Sequence, residues 1–186
     1  MNYAELKKFD IANGKGVRVS IFVSGCRHRC KNCFNSDAWD FGYGKEFTQS
    51  TIDEILDASA PTYISGLSIL GGEPFEPENQ EGIYSLVRQF KEKFPEKDIW
   101  CYSGFTFDEL CSGRAGDAET VRKILSEIDI LVDGKFVDEL KDLSLLFRGS
   151  SNQTIIDVKK SLLEGKKVEA DGSWKRKPGS TDIYEA

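Results

Sequence analysis

The sequence predicts an α/β fold with a mainly parallel sheet, folded as a single domain. Segments with the apolar pattern of buried strands alternate with segments of helical periodicity through the middle of the chain. The 186 residues are enough for one domain with a sizeable core and too few for two ordinary ones. We therefore expect one domain over residues 1–186, with a peripheral tail from about residue 166, where Lys, Gly and Ser are frequent.

Five strands are expected along the chain. The first, over residues 18–23, alternates and then becomes continuously apolar, as a strand buried on both faces would. Four similar segments follow, over residues 66–70, 98–102, 128–132 and 154–158. Residues 1–17 contain the pair Gly14 and Gly16 and are expected to form a short lead-in and a turn. The unassigned segments leave room for a sixth strand.

Three helices are expected between these strands. The first has a capping pattern at Ser50 and runs to about Ser59. The second begins at Pro77, and its apolar residues keep helical spacing at Ile83, Leu86, Val87, Phe90 and Phe94. The third covers about residues 117–127. Right-handed crossovers through these helices would bring the carboxyl ends of the strands to one edge of the sheet.

Several loop motifs lie at or beside predicted strand ends. They are the cysteine loop of residues 26–33, Gly71-Gly72-Glu73-Pro74, Ser103-Gly104, Asp133-Gly134 and the turn at Arg148. In parallel α/β sheets, ligands bind at the edge formed by the carboxyl ends of the strands. We therefore expect a functional site at this edge.

Three thiols, those of Cys26, Cys30 and Cys33, fall within eight residues directly after the first strand. An odd total of five Cys, three of them crowded, favours metal ligation over a disulfide framework. A cubane iron–sulfur cluster takes one thiolate per iron, so three thiols would leave one iron with an open position. An open position is typical of a catalytic metal site, so the loop indicates catalysis.

Structural zinc is the alternative occupant of this loop. It would need a fourth ligand, for which His28 is the nearest candidate, but the short spacing would strain a tetrahedral site. We favour the cluster and expect His28 to be an outer-shell or surface residue. Cys101 and Cys111 lie far along the chain and are expected to be ordinary thiols.

The motif Gly71-Gly72-Glu73-Pro74 has two compatible interpretations. It has the composition of a strand-to-helix turn, and it also offers two residues without side chains, where a ligand ammonium group could reach backbone carbonyls. Ser103-Gly104 and the Arg148 turn are weaker signals, since both are common loop compositions. Arg148 could hold a carboxylate through two hydrogen bonds, although a surface ion pair is the commoner fate of an arginine.

The composition excludes some partners. A formal net charge of −6 argues against nucleic-acid binding, which needs a basic face. No apolar run approaches the ~20 residues of a membrane span, so no membrane association is expected. The first eight residues lack the layout of a secretory signal, which favours a cytoplasmic location. A protein or a small molecule is the expected partner.

The motif Cys26-x-x-x-Cys30-x-x-Cys33, followed by Gly71-Gly72-Glu73-Pro74, resembles the radical S-adenosylmethionine superfamily. With residues 100–104, 133–136 and 148–153, the chain is more narrowly similar to the activating proteins of anaerobic ribonucleoside-triphosphate reductases, a group of glycyl-radical-enzyme activases. The resemblance covers roughly residues 5–160. Asn32 stands where the wider superfamily often has an aromatic residue, and the narrower group often carries a small one there.

The resemblance implies a partial, open (β/α) barrel and two cofactors. Cys26, Cys30 and Cys33 would hold one [4Fe-4S] cluster, and S-adenosylmethionine would chelate the fourth iron. The remaining implied cofactor-binding residues are Asn32, Cys33, Phe34, Gly71, Gly72, Glu73, Ser103 and Arg148, with Asn32 to Phe34 near the adenine and Gly71 to Glu73 near the methionine ammonium group. No catalytic side chain is implied beyond the cluster.

The implied reaction is reductive cleavage of S-adenosylmethionine to a 5′-deoxyadenosyl radical, which takes a hydrogen atom from a glycine of the partner reductase. A reductant such as flavodoxin would supply the electron. The nearest rival is an activase of another glycyl radical enzyme, such as pyruvate formate-lyase. A rival from a different class is a non-catalytic metal-binding scaffold or electron carrier that uses the three thiols and His28.

Overall fold

A seven-stranded sheet forms the centre of the protein, which is described here by a computed structural model covering residues 1–172. The strands are β1 (Asn2–Asp10), β2 (Val17–Val23), β3 (Lys45–Glu46), β4 (Ile64–Gly71), β5 (Asp98–Tyr102), β6 (Ile130–Asp133) and β7 (Thr154–Asp157). The α-helices are α1 (Gln49–Ser59), α2 (Pro77–Lys93), α3 (Phe107–Cys111), α4 (Ala118–Glu127) and α5 (Val158–Glu164). Two 3-10 helices cover Ser36–Trp39 and Asp138–Leu140.

The predicted α/β class with a parallel centre is confirmed. The sheet order is β3-β1-β2-β4-β5-β6-β7, and the four central strands β2, β4, β5 and β6 run parallel. The outer strands are antiparallel to their neighbours: β1 to β2, β3 to β1 and β7 to β6. The sheet is open, because β3 and β7 lie at its two edges and do not pair with each other.

The two faces of the sheet are buried in different ways. One face packs on the helices in the main core, where strand residues such as Ile21, Ile69 and Leu131 meet helix residues such as Ile83 and Ile124. Side chains alternate between faces along a strand, so their neighbours point the other way. On that opposite face a smaller cluster of Trp100, Val132 and Ile155 is covered by Phe147. The described residues contain no helix long and apolar enough to cross a membrane.

Most predicted elements are confirmed within a few residues. β5 has the predicted bounds, α1 ends at Ser59 as expected, and the apolar residues of the second helix are all buried. That helix begins at Pro77, and Asp117 caps α4 by accepting a hydrogen bond from the Thr120 backbone. Strong burial patterns and clear caps explain this agreement.

Other expectations were wrong. Residues 2–10 form the strand β1 instead of a lead-in, although Gly14 and Gly16 do form a turn with positive φ. The fifth predicted strand, β7, runs antiparallel to β6. Its amino end, not its carboxyl end, therefore lies beside the carboxyl ends of the parallel strands. The short helices α3 and α5 were missed.

The tail that was expected from about residue 166 is partly ordered against the sheet. The Val168 carbonyl accepts a hydrogen bond from the Asp157 backbone at 3.0 Å, and the Ala170 backbone donates to Ile155 at 2.9 Å. These residues therefore extend the β7 edge through a bridge between Ile156 and Glu169. The rest of the predicted tail, residues 173–186, lies outside the described residues.

Candidate active site

A cavity of about 570 Å³ opens at the edge of the sheet where β2, β4 and β5 end. All of the sequence-predicted metal and cofactor residues line it: Cys26, Cys30, Asn32, Cys33, Phe34, Gly71, Gly72, Glu73, Ser103 and Arg148. These residues come from four separate segments of the chain. The fold therefore brings the predicted residues to one place, at the edge where the parallel arrangement led us to expect a site.

The cysteine loop follows β2 and is shaped by its backbone. Cys26 is buried at the end of the strand, where its N–H donates to the Trp39 carbonyl at 3.1 Å. Arg29 and Asn32 both have positive φ, +47° and +56°, which curls the chain back. The Cys33 N–H then donates to the Cys30 carbonyl at 3.1 Å. The curled loop keeps all three thiols on the cavity wall.

The sulfur atoms lie in a partly buried setting with nearby backbone donors. Burial raises the pKa of the Cys26 thiol to about 11, and the nearby backbone N–H groups of His28 and Arg29 oppose that rise. Burial and the neighbouring Cys33 also raise the pKa of Cys30, and the nearby backbone N–H group of Phe136 opposes that rise. A metal that takes up thiolate charge would relieve this cost of ionisation.

The donor set of the cavity includes three thiols, and a cubane cluster takes one thiolate per iron. Among residues 1–172, no group of three His, Cys, Asp or Glu side chains is placed to hold a metal ion. His28, the suggested fourth zinc ligand, instead contacts Glu73 with its Nε2 at 2.9 Å.

The last residue of β4, Gly71, and the residue after it, Gly72, must be glycine because of close backbone contacts. Gly71 has φ of +107°, and a Cβ there would lie 2.6 Å from the Val23 carbonyl oxygen. A Cβ on Gly72 would lie 2.6 Å from the carbonyl oxygen of Gly25. The turn interpretation is therefore correct for these positions. The Gly72 carbonyl also receives no hydrogen bond from residues 1–172, so it can accept one from a ligand.

Glu73 is fully buried, and its carboxylate accepts four hydrogen bonds. Oε1 accepts from the Phe75 N–H and the Ser103 hydroxyl, both at 2.9 Å. Oε2 accepts from the Gly104 N–H at 2.7 Å and from His28 Nε2 at 2.9 Å. Sequence reasoning named Glu73 and Ser103 as cofactor residues but did not anticipate that they bond each other. Glu73 thus joins the cysteine loop to the loops after β4 and β5.

Arg148 lines the cavity and makes no ion pair with any residue of the part of the chain that the structure describes. Its Nη1 donates to the Gln153 carbonyl at 2.8 Å, and its Nε is buried without a hydrogen-bond partner among the described residues. A buried donor without a partner is costly, so a ligand that accepts from it would be favoured. This orphaned donor fits the predicted contact with a carboxylate.

The mouth of the cavity carries two nearly bare apolar side chains. Phe34 is 87% exposed and Leu143 is 80% exposed, although both line the cavity. In the same region of the chain, Asn32 donates to an Asp138 carboxylate oxygen at 2.7 Å and so connects the cysteine loop to the 3-10 helix Asp138–Leu140. Sequence reasoning missed Asp138 and Leu143, because their segment has no periodic pattern that would locate it in the fold.

Comparison with known proteins assigns the family. Residues 12–156 match the model of the 4Fe-4S single cluster domain. The chain is 41% identical over 157 residues to the anaerobic ribonucleoside-triphosphate reductase-activating protein of Escherichia coli K12, covering 83% of this chain and 97% of that relative. The protein of the same name from Vibrio cholerae shows the same identity and coverage. The one from Enterobacteria phage T4 is 35% identical over 175 residues, 94% of this chain and 99% of the relative. The chain therefore belongs to the family of anaerobic ribonucleoside-triphosphate reductase-activating proteins.

Proposed function

We propose that this protein activates an anaerobic ribonucleoside-triphosphate reductase by radical S-adenosylmethionine chemistry. The observation that carries the proposal is that the three thiols and the Gly71-Gly72-Glu73 motif line one cavity at the carboxyl edge of the parallel strands. The names of the family members agree with this activity. We also propose that the open sheet is a partial (β/α) barrel and that the whole chain is one radical S-adenosylmethionine domain in the cytoplasm.

In this proposal Cys26, Cys30 and Cys33 hold a [4Fe-4S] cluster with one iron free of protein ligands. When bound and reduced, for example by flavodoxin, the cluster supplies the electron that cleaves S-adenosylmethionine into methionine and a 5′-deoxyadenosyl radical, which takes a hydrogen atom from a glycine of the reductase. The backbone N–H groups of His28, Arg29 and Phe136, which lower the pKa of the Cys26 and Cys30 thiols, would also stabilise negative charge on the cluster.

The same cavity offers groups that match the polar ends of S-adenosylmethionine. The Gly72 carbonyl is free to accept from the methionine ammonium group, and the orphaned Arg148 Nε can donate to its carboxylate. The backbone from Asn32 to Phe34 would lie along the adenine. Glu73 and Ser103 would act on the cofactor indirectly, because their oxygens are already engaged with each other and with backbone N–H groups.

The open mouth suits a protein substrate. A primary radical must be shielded from water and stray hydrogen donors, yet Phe34 and Leu143 leave the entrance apolar and uncovered. A glycine-bearing loop of the reductase would complete the enclosure when it docks there. This explains why a small chain can leave its site open in the absence of its partner.

The test is anaerobic reconstitution with iron and sulfide, followed by dithionite and S-adenosylmethionine. Formation of 5′-deoxyadenosine, and of a glycyl radical signal in electron paramagnetic resonance when the reductase is added, is expected. Cys30→Ala serves as the control that lacks one thiolate. A protein with a full cluster that yields no 5′-deoxyadenosine would contradict the proposal and favour the scaffold or electron carrier. Cleavage without activation of the reductase would favour another glycyl radical enzyme as the partner.

A further inference from the structure

Glu76 is a buried carboxylate whose side chain points away from its own helix. It ends the turn that follows β4, residues 72–76, and precedes Pro77, but it makes no capping hydrogen bond to α2. Only 5% of its side chain is exposed. Oε1 accepts from the Arg27 backbone N–H at 2.6 Å, and Oε2 accepts from the Arg27 guanidinium at 2.5 Å. Among the described residues no other group donates to this carboxylate. Burying a charge is costly unless it is paired, so the side chain is placed for Arg27.

The turn after β4 also holds the residues that lead into the cysteine loop. The Gly72 N–H donates to the Val23 carbonyl at 2.7 Å, and the Glu73 N–H donates to the Gly25 carbonyl at 2.8 Å. Arg27 is the next alternate residue along the chain, and its N–H is the group that Glu76 accepts. The turn therefore bonds backbone groups of three alternate residues, from the end of β2 into the loop.

The attachment at Arg27 lies directly after the first thiol, that of Cys26. One residue further on, the His28 side chain contacts the Glu73 carboxylate at 2.9 Å. The backbone then curls at Arg29, where φ is +47°. Two carboxylates of one turn thus hold the two residues between the first thiol and the curl. Of these two contacts, only that of Glu76 includes the loop backbone.

We propose that Glu76 is a positioning residue that holds the backbone beside Cys26 in the form that binds the cluster, and that it does so by accepting the Arg27 N–H. The inference rests on the proposed function only in requiring a cluster on the three thiols of the cysteine loop. It does not require that S-adenosylmethionine be cleaved. Gly72, whose carbonyl is the proposed acceptor for the ligand ammonium group, belongs to the same turn. Glu76 therefore also fixes the first thiol relative to that carbonyl.

Glu78 provides a matched control for Glu76. It pairs with the same Arg27 guanidinium, which donates to Glu78 Oε2 at 2.8 Å, and the side chain of Glu78 is 48% exposed. Its carboxylate does not accept from the Arg27 N–H, which is bonded to Glu76. Replacing Glu78 therefore removes a charge partner of Arg27 and leaves the backbone contact in place.

The experiment compares Glu76→Leu, Glu76→Gln and Glu78→Leu after anaerobic reconstitution, by the rate at which iron is lost to a chelator in the absence of S-adenosylmethionine. Glu76→Leu leaves the Arg27 N–H without its acceptor and should lose iron about tenfold faster than the parent protein. Glu76→Gln keeps an oxygen that can accept from this N–H, and Glu78 still pairs with the guanidinium, so it should restore most of the retention. Glu78→Leu should behave like the parent protein. Circular dichroism of the cluster-free proteins checks that each variant is folded.

An unchanged rate of iron loss in Glu76→Leu would overturn the inference. Equally fast loss in Glu78→Leu would overturn it too, because pairing of the guanidinium would then matter and not the N–H. If Glu76→Gln loses iron as fast as Glu76→Leu, the charge of Glu76 is what counts, and the inference also fails. A Glu76→Leu protein that does not fold without the cluster would show that Glu76 supports the whole fold and not the loop. Failure of the proposed function would look different, because the parent protein would keep its cluster and yield no 5′-deoxyadenosine.

Discussion

Glu73→Gln replaces one buried carboxylate oxygen by an amide nitrogen, and the four hydrogen bonds of Glu73 define what that change costs. If the amide nitrogen takes the Oε1 position, the Ser103 hydroxyl can rotate to accept from it, but the Phe75 N–H then faces another donor. If it takes the Oε2 position, the His28 ring can change tautomer, but the Gly104 N–H has no acceptor. Either orientation leaves one buried backbone N–H unsatisfied.

The expected change in the free energy of unfolding has two sources: the unsatisfied N–H group and the loss of the negative charge on the acceptor. An unsatisfied buried N–H costs about 1–3 kcal/mol, and the remaining hydrogen bonds lose the strength that a charged acceptor gives them. We expect Glu73→Gln to lower the free energy of unfolding by about 2–4 kcal/mol. The assay is urea unfolding of the reduced, cluster-free protein, followed by circular dichroism, so that no cofactor contributes to the difference.

Glu78→Gln is the control, because Glu78 is a half-exposed carboxylate in the same region whose partner is Arg27. Exposed ion pairs contribute little, so this variant should unfold close to the parent protein. A Glu73→Gln protein within about 0.5 kcal/mol of the parent, the range of ordinary surface changes, would refute the reasoning. The Glu73 carboxylate would then not be needed for the stability of the fold, and it could contact the cofactor directly.

Three further predictions concern the cluster, the partner and the fold. Cys30→Ala should lose the cluster because one iron would lack its thiolate, whereas Cys101→Ala should keep it because Cys101 lies on the helix-covered face of the sheet; iron analysis of both variants checks this. Leu143→Ser should lower the yield of glycyl radical in the reductase without lowering 5′-deoxyadenosine formation, while Leu163→Ser, equally exposed on α5, should change neither. Burial raises the pKa of Asp129, but hydrogen bonds from Lys159, Lys91 and the Ile99 N–H, together with the charge of Lys91, bring it below its usual value, so the stability that this carboxylate contributes exists above about pH 4 and is lost below it. Asp129→Asn should therefore lower the free energy of unfolding by about 1–3 kcal/mol at pH 7 and by much less near pH 3, as urea titrations at the two pH values would show.

The elements that the sequence predicts well are those whose burial pattern is complete. α2 has a full apolar stripe and a proline at its start, and β5 is buried along its centre. β1 was missed because only Tyr3 and Asp10 are buried in it, and charged residues occupy much of the rest. Such an outer strand is fixed by its pairing with β2 and β3, which no local pattern records.

The residues and contacts of the candidate site can likewise be divided into those that the sequence predicts and those that it does not. The sequence could predict that the three thiols, the glycines and Arg148 lie at one cavity, because their types and positions beside strand ends are visible in it. The bond between His28 and Glu73 was not, since the two residues are 45 positions apart and meet only when β2 and β4 pair in register. Local sequence shows which groups can react or bind, whereas the sheet register determines which of them support one another.

The direction of β7 determines whether Arg148 can belong to the site. β6 and β7 pair antiparallel, with Asp133 opposite Thr154, so the turn before β7 lies beside the end of β6 at the cavity edge. A parallel β7 would place that turn one strand length away, about 13 Å for four residues at ~3.3 Å each, and Arg148 would open onto the opposite edge. The connection from β6 to β7 contains no α-helix, only the 3-10 helix Asp138–Leu140, and a parallel pair normally needs a helical crossover. That missing crossover was the available signal for an antiparallel strand. The departure from an all-parallel sheet is thus what brings Arg148 to the cavity that the cysteine loop also lines.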